Sequence, residues 1–306
     1  MQRRYTTVDV FTDRMFGGNP LAVVLDAGAL SGAQMQSIAA EFNYAETTFV
    51  LPPRAPQHTA QVRIFTPRSE VPFAGHPNVG TAFVLARGIA AAGGTPPDRF
   101  QFEEGAGIVP VRILREGAEV IGAELQAPEA LSRGAQLSAP QAASCLSLPA
   151  TEILSGAHPP LVVSVGLPFL IAELTTRAAL TRSRPDLSAH EKLLPGIGVD
   201  AIFAYVRDRD DAGTRVLHAR MYAPLDGIVE DPATGSATAA TLALLTELEA
   251  NQDAECHWRV HQGDDMGRPS ILLGSTAKRA GALQFVRVGG RCAPVMTGTL
   301  DVDGAA

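Results

Sequence analysis

Two corners of this 306-residue chain carry residue types that can bind acids and move protons. His76 stands before a proline in Gly75-His76-Pro77-Asn78-Val79-Gly80-Thr81-Ala82. Asp231 does the same in Glu230-Asp231-Pro232-Ala233-Thr234-Gly235-Ser236-Ala237. Proline suits the first helical position, where its missing N–H is not needed. On that reading Asp231 is a helix cap and His76 holds the matching place. Gly75, Gly80 and Gly235 would let the backbone come close to a bound group. Unpaired N–H groups and the dipole at such helix starts favour a carboxylate. One corner alone is more often a plain cap and a turn histidine. Two of them, alike and set among uncharged residues, point to a site.

Glu46 is the third candidate. It follows an amphipathic stretch and opens the β-prone run Thr47-Thr48-Phe49-Val50. A carboxylate partly withdrawn from water there has its pKa raised toward the range useful for acid–base work. Its counterpart in the second half of the chain falls near Asp200, so the residues alone leave open which half would work. Metal and cofactor signals are weak. His190-Glu191 opens a zinc-protease pattern, but position 194 is leucine. Cys256 and His257 are adjacent rather than at ligand spacing. Gly105-Ala106-Gly107 meets Pro110 where a dinucleotide fingerprint needs a small residue. The expectation is an enzyme without cofactor or metal, or no enzyme.

The elements that position these residues repeat. Arg63-Ile64-Phe65-Thr66-Pro67 precedes the first corner and Arg220-Met221-Tyr222-Ala223-Pro224 the second; His76 and Asp231 are 155 positions apart, as are Gly80 and Gly235. Fainter echoes link Gly18-Asn19-Pro20-Leu21 with Gly166-Leu167-Pro168-Phe169. Several matches in one order favour duplication. An amphipathic helix is expected from an N-cap at Ser31, with Met35, Ile38, Ala39 and Phe42 on one face, ending near Asn43. Pro77–Ala86 and Pro232–Thr246 carry no charge and read as helices buried on every side. The architecture expected is α+β, with a curved sheet wrapped around a central helix, made twice. Strand patterning fades around Gln126–Pro140, which places the break between residues 1–128 and 129–306, with the C-terminal strand left open to pair with the first half.

Composition excludes several classes. The 25 Lys and Arg against 32 Asp and Glu give a net charge of −7, which argues against nucleic acid as a partner. The N-terminus has no apolar signal core. The longest uncharged run, Ile153–Ala172, contains Pro159, Pro160 and Pro168 and does not suit a membrane helix. Three scattered cysteines, Cys145, Cys256 and Cys292, form no disulfide framework and suit a reducing cytoplasm.

At these residues the chain resembles the phenazine-biosynthesis (PhzF-like) isomerase family. The likeness runs through Val8-Asp9-Val10-Phe11, Gly18-Asn19-Pro20-Leu21-Ala22-Val23, Asn43-Tyr44-Ala45-Glu46-Thr47-Thr48-Phe49 and Phe73-Ala74-Gly75-His76-Pro77. It continues through Glu230–Ala237 and Gln262-Gly263-Asp264-Asp265-Met266-Gly267-Arg268-Pro269-Ser270. The resemblance implies a diaminopimelate-epimerase-like fold of two pseudo-symmetric domains, each a mostly antiparallel sheet around a central helix, with the site in the interdomain cleft. It implies a cofactor-independent isomerase of a small carboxylate and a homodimer. Glu46 matches the family's acid/base, while His76 and Asp231 match polar residues that bind substrate and help protonation. Gly75, Gly235 and Ser236 match donors around the substrate carboxylate. Ala45 replaces a commoner serine and Asn78 a commoner threonine. In the related epimerases a cysteine from each domain shuttles the proton; here the matching places hold Gly75-His76 and Glu230-Asp231, which disfavours a two-thiol racemase. A racemase or epimerase of a small amino or hydroxy acid is the second reading, and a non-catalytic carboxylate binder on the same scaffold the third.

Overall fold

The computed structural model describes residues 2–208 and 212–302. Its contacts divide the chain into two compact units. The first takes the described residues through Leu125 and those from Gly289 onward; the second is Gln126–Val288. Against the division expected at 128/129, the break therefore lies between Leu125 and Gln126, and the end of the chain returns to the first unit.

The first unit contains β1 (Gln2–Val10), β2 (Asn19–Val24), α1 (Gly32–Phe42), β3 (Glu46–Leu51), β4 (Ala60–Phe65), β5 (Glu70–Val71), α2 (Gly75–Ala91), β6 (Arg99–Glu104), β7 (Gly107–Glu116) and β8 (Glu119–Gln126). The second contains β9 (Ser132–Gln136), α3 (Ala139–Cys145), β10 (Ile153–Leu154), β11 (Leu161–Ser164), β12 (Pro168–Leu174), α4 (Arg177–Arg182), α5 (Leu187–Leu193), β13 (Ile202–Arg207), β14 (Thr214–Ala223), β15 (Ile228–Asp231), α6 (Gly235–Glu247), β16 (Ala254–Gln262) and β17 (Ser270–Arg279). The last strand, β18 (Ala282–Asp301), begins in the second unit and ends in the first.

Strand pairing explains the duplication better than residue identity does. In the first unit β1–β2 is antiparallel, β2–β3 parallel, β3–β4 antiparallel, β4–β6 parallel, and β6–β7 and β7–β8 antiparallel. In the second unit β11–β12, β12–β13, β13–β14, β14–β16 and β16–β17 follow the same order of senses. A parallel pair needs a long crossover, and helices supply it. Helix α1 lies between β2 and β3, and α2 between β4 and β6; α4 and α5 lie between β12 and β13, and α6 between β14 and β16. In the first unit β18 pairs with both β1 and β8, which closes eight strands into a ring.

The central helices sit where their lack of charge predicts. In α2 every residue from His76 through Val84 is buried, and the helix touches β1, β2, β3 and β7. In α6 the run Ala237–Thr246 is buried against β11, β12, β16 and β17. Gly80 permits this closeness, because a Cβ there would lie 2.5 Å from Leu21 Cδ2 and 2.8 Å from Val10 Cγ2. The surface helix also matches its pattern. Ser31 caps α1 through the Gln34 amide in a capping box, Asn43 ends it in the left-handed region, and Met35 and Ala39 pack on Phe49 and Phe65. No helix among the described residues is long and apolar enough to cross a membrane.

Candidate functional site

The two corners differ from the expected N-caps. Helix α2 begins at Gly75 with Ala74 as its cap, so His76 is the second helical residue and Pro77 lies within the first turn. Proline is harmless there, since none of the first turn's N–H groups has an intrahelical partner. Helix α6 begins at Gly235 with Thr234 as cap, while Asp231 ends β15. The helix starts are thus 160 positions apart, not 155. Gly75-His76 corresponds to Gly235-Ser236, and Asp231 corresponds to Val71, the end of β5. Gly80, read as the mate of Gly235, instead serves packing in the helix interior.

In the first unit the structure brings Glu46 and His76 together. Glu46 opens β3 beside Leu21 of β2. Its Oε2 lies 3.5 Å from His76 Nε2, with 18% and 7% of the two side chains exposed. That spacing is longer than a formed hydrogen bond and short enough to become one on a small movement. Burial pushes the His76 pKa down to about 3, so the ring is neutral at ordinary pH and the pair is not an ion pair. Behind it, the Thr48 and Thr81 hydroxyls meet at 2.8 Å and tie β3 to α2.

The register also settles the open question about Asp200. Leu21 pairs with Glu46 where β2 meets β3; Leu170 pairs with Ile202 where β12 meets β13. Phe169, the mate of Leu21 in the repeat, precedes Leu170 and so stands opposite Ala201. The residue in Glu46's place in the second unit is therefore Ala201, buried, and Asp200 is the residue before it. Only the first unit has a carboxylate at this position.

In the second unit Asp231 is buried and held by its neighbours. The Thr234 hydroxyl donates to Asp231 Oδ2, and Gln262 Nε2 donates to the Asp231 carbonyl at 2.8 Å and to Thr234 Oγ1 at 3.0 Å. The Thr234 N–H donates to Gln262 Oε1 at 3.1 Å. Gly263 follows at φ 77°, with no room for a Cβ between Pro232 and Arg268 carbonyls. Glu230 receives two bonds from the Arg220 guanidinium, at 2.8 and 2.7 Å, and Arg220 also donates to the carbonyls of Leu180, Thr181 and Ser183. Gly235 and Ser236 form the first turn of α6, half buried. Gln262 and Arg220 are the residues that motif reading passed over as actors. Their signal was present, one in the Gln262–Ser270 motif and one in the repeated Arg-x-x-x-Pro strand.

The cysteines stand elsewhere. All three are buried and unbonded. Burial pushes the Cys145 thiol up to about 11 and raises that of Cys292 as well. None lies at the start of α2 or α6. Among the described residues no cluster of three or more His, Cys, Asp or Glu is arranged to hold a metal ion.

A family model described as phenazine biosynthesis-like protein matches residues 8–298. The chain is 39% identical over 300 residues to an uncharacterized isomerase of Mesorhizobium japonicum, covering 97% of this chain and 98% of that one. It is 36% identical over 299 residues to a trans-2,3-dihydro-3-hydroxyanthranilate isomerase of Pseudomonas chlororaphis, covering 97% and 98%. A PhzF-family crystal structure from Bacillus anthracis matches with a TM-score of 0.83 over 99% of this chain and 100% of that one; at 23% identity this bears on fold. Two duplicated units built on an epimerase-like plan, matched end to end by isomerases, define the class as an isomerase. The chain belongs to the phenazine biosynthesis-like (PhzF) family.

Proposed function

We propose that this isomerase shifts a proton on a small cyclic or amino carboxylic acid, with Glu46 as the acid/base and no cofactor. The observation that carries this reading is the placement of Glu46 Oε2 3.5 Å from a buried, neutral His76 on the first turn of α2. A neutral imidazole can donate through Nε2–H to a carboxylate, or accept there from a carboxylic acid. It can therefore accompany Glu46 through both protonation states of a cycle in which one group takes a proton and returns it elsewhere. The N–H groups of Gly75 and His76, at the positive end of α2, favour the carboxylate of the substrate. Asp231, Gly235 and Ser236 are assigned to substrate binding on the strength of the family resemblance. The Pseudomonas chlororaphis relative is named for a substrate of this kind, which makes trans-2,3-dihydro-3-hydroxyanthranilate the first compound to test.

The test is Glu46→Gln, assayed in D₂O against a panel of small carboxylic acids. The variant is expected to keep its fold and bind substrate while turnover falls by about 10²–10⁴-fold. The wild type is expected to place one solvent deuterium at the carbon that gains the proton. Undiminished turnover in the variant would remove Glu46 from the reaction. Deuterium at the α-carbon without bond migration would make the enzyme an epimerase.

A further inference from the structure

Glu104 ends β6, next to Glu103, and the pair reads in sequence as an ordinary charged strand end. The structure separates them, as alternation along a strand requires. The Glu103 carboxylate accepts from the Arg54 and Ala55 amides and lies 2.7 Å from His58 Nδ1, contacts that hold it down to about 2. Both carboxyl oxygens of Glu104 are shut off from solvent without a hydrogen-bond partner of good geometry. Burial pushes this group up to about 8, and the Asn78 side chain is the one polar group that opposes the rise. The β6–β7 turn that follows lies on the segment leading into α2, with the Ala106 N–H donating to the Pro72 carbonyl at 3.0 Å.

Asn78 supplies the complement. Its Nδ2 donates to the carbonyl of Ala74, the cap residue of α2, at 3.0 Å, while its Oδ1 is buried and lacks a donor. Ala74 has no side chain with which to cap the helix. A carboxylic acid beside a primary amide can exchange two hydrogen bonds in a ring. The acid O–H donates to Oδ1, and the amide's second N–H donates to the acid's carbonyl oxygen. This leaves the first N–H on Ala74 and satisfies the buried polar atoms together.

We propose that Glu104 is a positioning residue, pairing as a carboxylic acid with the Asn78 amide and so fixing the first turn of α2, which presents His76 to Glu46. Ionisation would remove the donor, break the ring and set a negative charge beside the helix start that is to receive an anionic substrate. The elements around Glu104 carry the titratable side chains His76 on α2, neutral; Glu46 on β3; Arg63 on β4, engaged with Glu70 of β5; and Arg112 at the far end of β7, engaged with Glu124. No charge among them offsets the burial of the Glu104 carboxyl. None of them supplies the missing donor. The part concerning His76 and Glu46 rests on the function proposed above, whereas the acid–amide pair stands without it.

The experiment follows the His76 ring resonance by NMR, assigned with a His76 variant, from pH 6 to 10 in wild type and Glu104→Gln. The substitution replaces an acid by an amide of the same shape, which can keep both bonds at every pH. The wild-type resonance is expected to step with a midpoint near 8 although His76 itself does not titrate there, and the variant is expected to lack the step. Thermal midpoints give a second reading that needs no substrate. A group raised on folding contributes stability below its unfolded pKa, which is lost as pH rises toward the folded value. Wild type should therefore fall several degrees relative to Glu104→Gln between about pH 4.5 and 8 and run parallel above it. With a turned-over substrate in hand, wild-type KM should rise about fivefold from pH 7 to 9.5, with little rise in the variant. No step at His76 in wild type, or the same step in the variant, overturns the proposal. A His76 step with no change in KM leaves the pair intact and separates it from the function proposed above, which Glu46→Gln tests on its own.

Discussion

A histidine is usually valued for a pKa near neutrality, but in the function proposed above His76 would serve for the opposite reason. Its depressed pKa keeps it neutral at ordinary pH, so it can donate or accept without charge of its own. The same shift makes a stability prediction with a definite sign. Unfolded histidine titrates near 6.5, so stability present above that pH is lost as pH falls from 6.5 toward 3, because only the unfolded chain takes up the proton. At pH 5 the loss relative to His76→Gln should reach about 2 kcal/mol, measured from urea midpoints at pH 7.5 and 5. An equal loss in both proteins would mean that His76 is protonated in the native state. Glu46 and His76 were both readable as residues. Their approach was not, because it depends on a parallel pairing of β2 and β3 that no local pattern announces. Glu104 was unreadable for a different reason: beside Glu103 it looks solvated, and only the fold buries its carboxyl group beside the Asn78 amide.

At the scale of elements, the caps and periodicity of α1 were legible down to Ser31 and Asn43, since a capping box and an amphipathic face are local. The starts of α2 and α6 were misplaced because an X-Pro step was taken as the first helical position, whereas Pro77 lies inside the first turn of α2 and Pro232 lies two residues before the cap of α6. This shifted the correspondence between the halves by five residues and paired His76 with Asp231 instead of Ser236. What orients Asp231 is the strand it ends, and that strand is secured by Arg220. This residue is 4% exposed, satisfies Glu230 and holds three carbonyls at and beyond the end of α4. Arg220→Ala leaves a buried carboxylate and those carbonyls without their donor, and should destabilise the protein by about 3–5 kcal/mol. Chemical denaturation checks the size. Arg220→Lys should recover only part of it, since an ammonium cannot match the two-pronged contact.

For the whole molecule, the repeat was visible in the sequence, while the identical order of parallel and antiparallel pairings was not. Duplication is preserved in topology after residue identity has drifted: Ala201 now stands where Glu46 stands, and Val71 where Asp231 stands. One consequence concerns the chain's end. Removing everything after Val288 takes from β1 and β8 the strand that joins them. We expect such a truncation to leave the first unit open to limited proteolysis. Trp258, buried in the second unit, should keep its blue-shifted emission. A truncated chain with a protease-resistant first unit would show that the ring does not need its closing strand.

That strand also sets an order of events during synthesis. Residues 1–125 leave the ribosome first, yet their sheet is completed only by residues after 288, so all of Gln126–Val288 must be made in between. At ordinary translation rates this is a wait of roughly 10–30 s. For that time β1 and β8 present unpaired backbone to whatever surrounds the nascent chain. The part of the protein that carries Glu46 is synthesised before the second unit and can be completed only after it.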